Sequence, residues 1–164
     1  MSYDIRTQAR LAAQQLAQVG LSRDLLEYFG VDREVIELYS RKEHPRWGQQ
    51  RQSKSMAWLR GPEAVYVVRA YRIFVMLFSR NANFEKPVTI VDLWDWYEVY
   101  SLIYPEDVVT AGRLWGIFQK VLDKTLVAQS CKECGHPYLV HVEDYALQTC
   151  SICLLAKKQR RKKR

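Results

Sequence analysis

The sequence predicts a mainly α-helical fold: a helical body followed by a small C-terminal four-cysteine module of the zinc-ribbon type. Three observations carry this reading. Apolar residues recur at steps of three and four through most of the first 126 positions. All four cysteines fall between Cys131 and Cys153, as two C-x2-C pairs. The run KKQRRKKR occupies 157–164. The corresponding division is a helical body over 1–126, a zinc module over 127–156 and a basic tail over 157–164.

The elements follow in order. Ile5, Ala9, Ala12, Leu16 and Val19 mark one face of a helix over 3–19, which Gly20 ends. Residues 22–29 read as a short helix, Gly30 as a tight turn and Asp32–Lys42 as a second helix, with Asp32 at its cap and Glu34 near the positive end of its dipole. HPRWGQQRQSKS, at 44–55, reads as a loop. Pro62 suits a first helical position, and the helix that follows to about Arg80 is apolar on most sides. Thr89 and Asp92 are spaced as a capping box for a helix through Leu102. Pro105 opens another helix to about Leu126, whose apolar stripe is Val108, Ala111, Trp115, Phe118, Leu122 and Leu126. Helical spacing puts Trp94, Tyr97 and Tyr100 on the core side and leaves Trp96 outward. After Val127 the pattern changes, and strands Tyr138–Val142 and Ala146–Thr149 are predicted to bring the cysteine pairs together as a hairpin.

Composition narrows the function. Apolar residues make up 48% of the chain, enough for a core. The net charge is +7, from 25 basic and 18 acidic residues. Seven of the basic residues are Lys157, Lys158, Arg160, Arg161, Lys162, Lys163 and Arg164; without them 18 cations face 18 anions. The excess charge therefore belongs to the tail, and it points to a polyanionic partner. MSYDIRTQAR shows no apolar leader. The most apolar run, AVYVVRAYRIFVMLF, is interrupted by Arg69 and Arg72, so no membrane span is predicted. A cytoplasmic protein is the expectation, and reducing conditions there disfavour disulfides.

Cys131, Cys134, Cys150 and Cys153 are the predicted metal ligands. Fifteen residues separate the pairs, at the edge of the range for zinc sites. Each C-x2-C turn points two thiolates at one ion, and two turns complete a tetrahedron with metal–sulfur distances of about 2.3 Å. Gly135 permits a left-handed residue as the chain leaves the first turn. The competing readings are two disulfides, a redox C-x2-C that uses only half of the signal, an iron–sulfur cluster, and a ligand set in which His136 or His141 replaces a cysteine. Four thiolates close a zinc ion's coordination, leaving no position for water or substrate, so one structural Zn2+ per chain is expected. No acid–base or nucleophile set accompanies the three histidines, His44, His136 and His141, and an enzyme is not predicted.

The basic tail suits phosphate contacts, which supply salt-dependent affinity without reading sequence. The alternative is a solvated terminus. The 22–42 segment resembles a helix–turn–helix, with Leu26, Val31 and Ile36 packing the pair and Arg33, Arg41 and Lys42 facing outward. Simple core packing explains the same pattern.

Several segments together resemble the FlhC family, the C subunits of the bacterial flagellar master transcriptional regulator. They are GVDREVIELYSR, AYRIF, RLWGIFQKVLDKTLVAQSCKECGHPYLVH and CSIC, spread over residues 30–153 in the family's order. The most specific is the helix carrying Arg113 and Trp115 that runs into SCKECGHPYL. The loop 44–58 keeps Gly48, Ser53 and Trp58 but lacks the family's common Leu-Pro, and the basic run replaces a less charged tail. The resemblance implies a hetero-oligomer with an FlhD-like subunit, binding to double-stranded promoter DNA, activation of flagellar or related transcription with RNA polymerase, and a zinc site of four cysteines matched by Cys131, Cys134, Cys150 and Cys153. The rival functions are an RNA- or ribosome-associated zinc-ribbon protein, selected by preference for structured RNA, and an interaction adaptor, selected by the absence of salt-dependent nucleic-acid binding.

Overall fold

The computed structural model describes residues 2–40, 57–60, 63–81 and 84–162. Among them the chain is mainly helical, with one small sheet. The helices are α1 (Ser2–Gln18), α2 (Arg23–Tyr28), α3 (Arg33–Ser40), α4 (Ala57–Arg60), α5 (Ala64–Leu77), α6 (Ile90–Ile103), α7 (Ala111–Leu122) and α8 (Ser151–Lys162); the strands are β1 (Leu126–Ser130) and β2 (Pro137–His141). The chain forms two compact units, Met1–Ser53 with Pro87–Gly116, and Lys54–Lys86 with Ile117–Arg164.

In the first unit α1 packs on α2, α3 and α6. The buried stripe of α1 is Ala12, Ala13, Leu16 and Ala17, whereas Ile5 is exposed, so the apolar face tightens toward the C-terminal half. Both α1 and α2 end in the same motif. Gly20 and Gly30 take positive φ, of 87° and 71°. Their amides donate to Ala17 and Glu27, and the following amides of Leu21 and Val31 donate to Leu16 and Leu26. These bonds satisfy carbonyls that a helix end leaves open. The pair α2–α3 buries Leu25, Leu26, Val35 and Ile36. Thr89 and Asp92 form the predicted capping box, both reciprocal bonds being present, and α6 runs one residue past the predicted end.

Two expectations about the aromatic helices fail here. Trp96 is fully buried, and the core stripe of α6 is Ile90, Leu93, Trp96 and Tyr100, with Trp94 and Tyr97 half-buried. The helix predicted from Pro105 starts at Ala111, leaves Val108 exposed, and stops at Leu122. Its buried residues are Ala111, Leu114, Trp115, Ile117 and Phe118. An apolar stripe continued through Leu122 and Leu126 because Leu126 is buried from a strand, not from the helix.

The second unit is organised by α5, which buries Val65, Val67, Val68, Ala70, Tyr71, Ile73 and Phe74 and packs against β2 and α8. Phe84 stacks on Phe74 at 4.1 Å between ring centroids and touches Tyr71 and Phe118. It holds φ at 56°, a strained value for a bulky residue, in return for near-complete burial. The sheet also corrects the sequence reading. β1 and β2 pair antiparallel, with Ala128 opposite Leu139 and Ser130 opposite Pro137. The predicted second strand at Ala146–Thr149 is a turn and irregular chain. The hairpin thus folds around the first cysteine pair, and the second pair arrives by a separate return.

Candidate metal centre and basic helix

Each C-x2-C pair is placed by a different device. Cys131 follows β1 directly and Cys134 lies in the turn that leads to β2. Gly135 takes φ of 71°, and its amide donates to the Cys131 carbonyl at 2.8 Å, closing the knuckle. Lys132 donates to the Gln148 carbonyl at 2.9 Å, which draws the returning chain alongside. Tyr138, from β2, donates its hydroxyl to the Leu147 carbonyl, and Gln129 holds the same carbonyl at 2.7 Å. Cys150 then precedes α8, and Cys153 lies in its first turn.

These constraints bring four sulfurs within 4.8 Å of one another. Cys131 Sγ lies 4.0 Å from Cys153 Sγ, and Cys134 Sγ lies 3.9 Å from Cys150 Sγ, so each close pair joins one knuckle to the other. All four cysteines are free. A tetrahedral ion with metal–sulfur bonds of about 2.3 Å requires sulfur–sulfur edges of about 3.8 Å. Two edges, at 4.0 and 3.9 Å, come close to that length and the others stay within 4.8 Å, an arrangement that could hold a metal ion on Cys131, Cys134, Cys150 and Cys153. His136 and His141 do not enter the set: His136 Nδ1 lies 2.7 Å from the Cys134 carbonyl, and His141 Nδ1 accepts from the Glu143 amide.

The electrostatics of the sulfurs are uneven. The His136 amide, with help from the Arg72 guanidinium, pulls Cys134 down to about 6. Burial opposes ionisation of Cys131, but the amides of Cys150, Cys134 and Glu133 outweigh it and hold the group below the usual thiol range. Burial pushes Cys150 up. Burial, then the neighbouring sulfurs, push Cys153 up to about 12. Four thiols this close cannot all ionise unless a cation compensates them.

The cluster is rooted in the helical part of its unit. Val68 of α5 packs with Cys131, Tyr138 and Cys150 in one apolar group. Arg60 of α4 clasps the far end of the hairpin, with Nε and Nη2 on the Asp144 carboxylate at 2.8 Å and Nη1 on Glu143 at 2.7 Å. Arg72 of α5 reaches the sulfurs themselves. Sequence reasoning saw it only as an interruption of an apolar run; the signal was there, since a cation in a helix that buries both neighbours, Tyr71 and Ile73, needs a partner.

α8 carries the basic run. It begins at Ser151, between Cys150 and Cys153, and continues to Lys162. Residues 154–161 are exposed, so the cations Lys157, Lys158, Arg160 and Arg161 face solvent. Lys157 pairs with Glu133 of the first knuckle at 2.7 Å. Among the described residues no ion pair involves Lys158, Arg160 or Arg161. Lys163 and Arg164 lie outside the described residues, as do Arg41 and Lys42 of the helix–turn–helix-like segment. Arg33 is on α3, in the other compact unit, bonded to Glu37 at 2.9 Å.

No helix among the described residues is long and apolar enough to cross a membrane. No protein-family model and no curated protein matches the chain.

Proposed function

We propose that this chain is a cytoplasmic, zinc-containing, DNA-binding subunit of a transcription regulator, acting with an FlhD-like partner and RNA polymerase on flagellar or related promoters. One observation carries the DNA-binding part. The helix that bears the basic run starts inside the second C-x2-C pair. A metal held there fixes the N-terminal turn of a cationic helix, so the charges are presented from an anchored element. Zinc suits the site because it accepts four thiolates in a closed tetrahedron and has no redox chemistry to interfere with a structural role. Such a centre binds and organises; the reading is of a binding protein and not of an enzyme. The partner and the promoters rest on the resemblance to the FlhC family.

The test is co-expression with an FlhD-like protein, elemental analysis, light scattering after size exclusion, and titration of promoter DNA. The expected result is about one zinc per chain and a hetero-oligomer that binds duplex DNA more tightly than either subunit. Preference for structured RNA over duplex DNA selects the ribosome-associated reading. A chain that binds no nucleic acid at any salt concentration is an adaptor.

A further inference from the structure

We infer that Arg72 is a positioning residue of the metal centre, a fixed counter-charge that bridges the two cysteine knuckles and strengthens their hold on a divalent ion. The inference rests on the four-cysteine metal reading and extends it to a residue outside both motifs.

The geometry is specific. Arg72 Nη2 donates to Cys134 Sγ at 3.2 Å and to Cys150 Sγ at 3.5 Å, one sulfur from each knuckle. Its Nε faces the Pro137 carbonyl at 3.3 Å, which orients the guanidinium plane against β2. The side chain is carried by α5, whose flanking residues Tyr71 and Ile73 are buried, so its root is fixed by packing. Three donations from one rigid fork hold two sulfurs and the strand between them in a single arrangement.

The charge argument runs the same way. Four thiolates around a divalent cation carry a net charge of −2. Half-buried and largely cut off from water, that charge is costly. A guanidinium within hydrogen-bond distance reduces it to −1 without occupying a ligand position. Groups that hydrogen-bond to first ligands in this way typically change metal affinity by about 10–100-fold. The interaction also withdraws electron density from Cys134 and Cys150, so it leaves a spectroscopic mark on any metal that reports thiolate bonding.

The experiment uses the full chain with Arg72→Lys, Arg72→Gln and Arg72→Met. Zinc affinity is measured by competition with a chromophoric chelator, and cobalt(II) is bound in place of zinc for absorption spectra. Arg72→Gln and Arg72→Met are expected to lose about 10–100-fold in zinc affinity, with Arg72→Lys between them and the wild type because it keeps the charge but not the fork. The cobalt d–d bands should stay tetrahedral, while the sulfur-to-cobalt band moves to longer wavelength in the Gln and Met variants. If Arg72→Met does not fold, the Lys and Gln variants carry the comparison. Affinities within twofold of the wild type and an unmoved charge-transfer band in folded variants overturn the role of Arg72 alone. A wild-type chain that binds neither zinc nor cobalt overturns the metal reading and this inference together.

Discussion

Replacing Lys158, Arg160 and Arg161 by Gln removes the exposed cations of α8 that no acidic side chain among the described residues engages. Lys157 is left in place because Glu133, at 2.7 Å, already neutralises it. Gln keeps a helix propensity close to that of Lys and Arg, so the helix itself is preserved. Each phosphate contact contributes about 0.9 to the slope of log affinity against log salt, so three lost contacts lower the slope by about 2.7. Between 50 and 200 mM salt that difference amounts to a factor of roughly 40: the wild type should lose about 40-fold more affinity over this range than the triple variant. Fluorescence anisotropy on a labelled duplex at four or five salt concentrations measures it. The ranking of DNA sequences should be unchanged, because phosphate contacts position without reading bases. A slope equal to that of the wild type refutes the assignment of α8 to phosphate. A changed sequence ranking refutes the claim that these residues act only on the backbone.

The remaining predictions concern the metal and the two cores. Because burial keeps Cys150 and Cys153 protonated in the metal-free cluster, binding at pH 7 should release about two or more protons per ion, so affinity rises with pH and is lost on acidification. Calorimetry in buffers of different ionisation enthalpy counts them, and no release would be inconsistent with thiolate ligation. Trp96→Ala empties a fully buried position and should lower stability by about 3–5 kcal/mol in denaturant unfolding; a loss under about 1 kcal/mol would mean that α6 does not bury it. Arg60→Met should weaken the attachment of the hairpin end. Asp144 is held below its usual value by the Arg60 hydrogen bond, so this contribution is present above about pH 4 and disappears as pH falls through the lowered value. A deficit of the variant that does not shrink as pH falls below about 4 would assign it to lost packing instead.

Local signals carried far in this sequence, and packing signals did not. The capping box at Thr89 and Asp92, the glycine ends at Gly20 and Gly30, and the turn within each C-x2-C pair depend on neighbours within a few positions and are found where their spacing puts them, whereas the meeting of the two pairs spans 16 and 22 residues. The first strand of the hairpin is not legible locally because the apolar residues around Leu126 satisfy two periods at once. They continue the stripe of α7, and they also alternate, as Leu126 buried and Val127 less so, in a strand. Which period wins is decided by β2, whose register no local rule supplies. Trp96 is a related case: α6 is apolar on several sides, so choosing its buried face needs the surface of α1. Arg72 is the clearest case. Its partners lie 62 and 78 residues away, and only the fold brings them to it.

The same long-range contacts bear on why the basic run is helical. A helix of 12 residues is marginal in water on its own. Here the sequence makes it worse, because Lys157 lies three and four positions from Arg160 and Arg161, and Lys158 stands in the same relation to Arg161 and Lys162. Like charges at those spacings repel by a few tenths of a kcal/mol each. Cations near a helix C-terminus are favoured by the dipole, which offsets part of this. The rest of the support comes from the other end: Leu154 donates to the Cys150 carbonyl at 3.0 Å, and Cys153 in the first turn is tied into the sulfur cluster. A filled metal site removes the cost of nucleating the first turn, and bound phosphate would remove the repulsion of the last two. If both bind as proposed, metal and polyanion would act on opposite ends of one helix. On the proposed reading each would make the helix more helical for the other, so loss of the metal should weaken nucleic-acid binding.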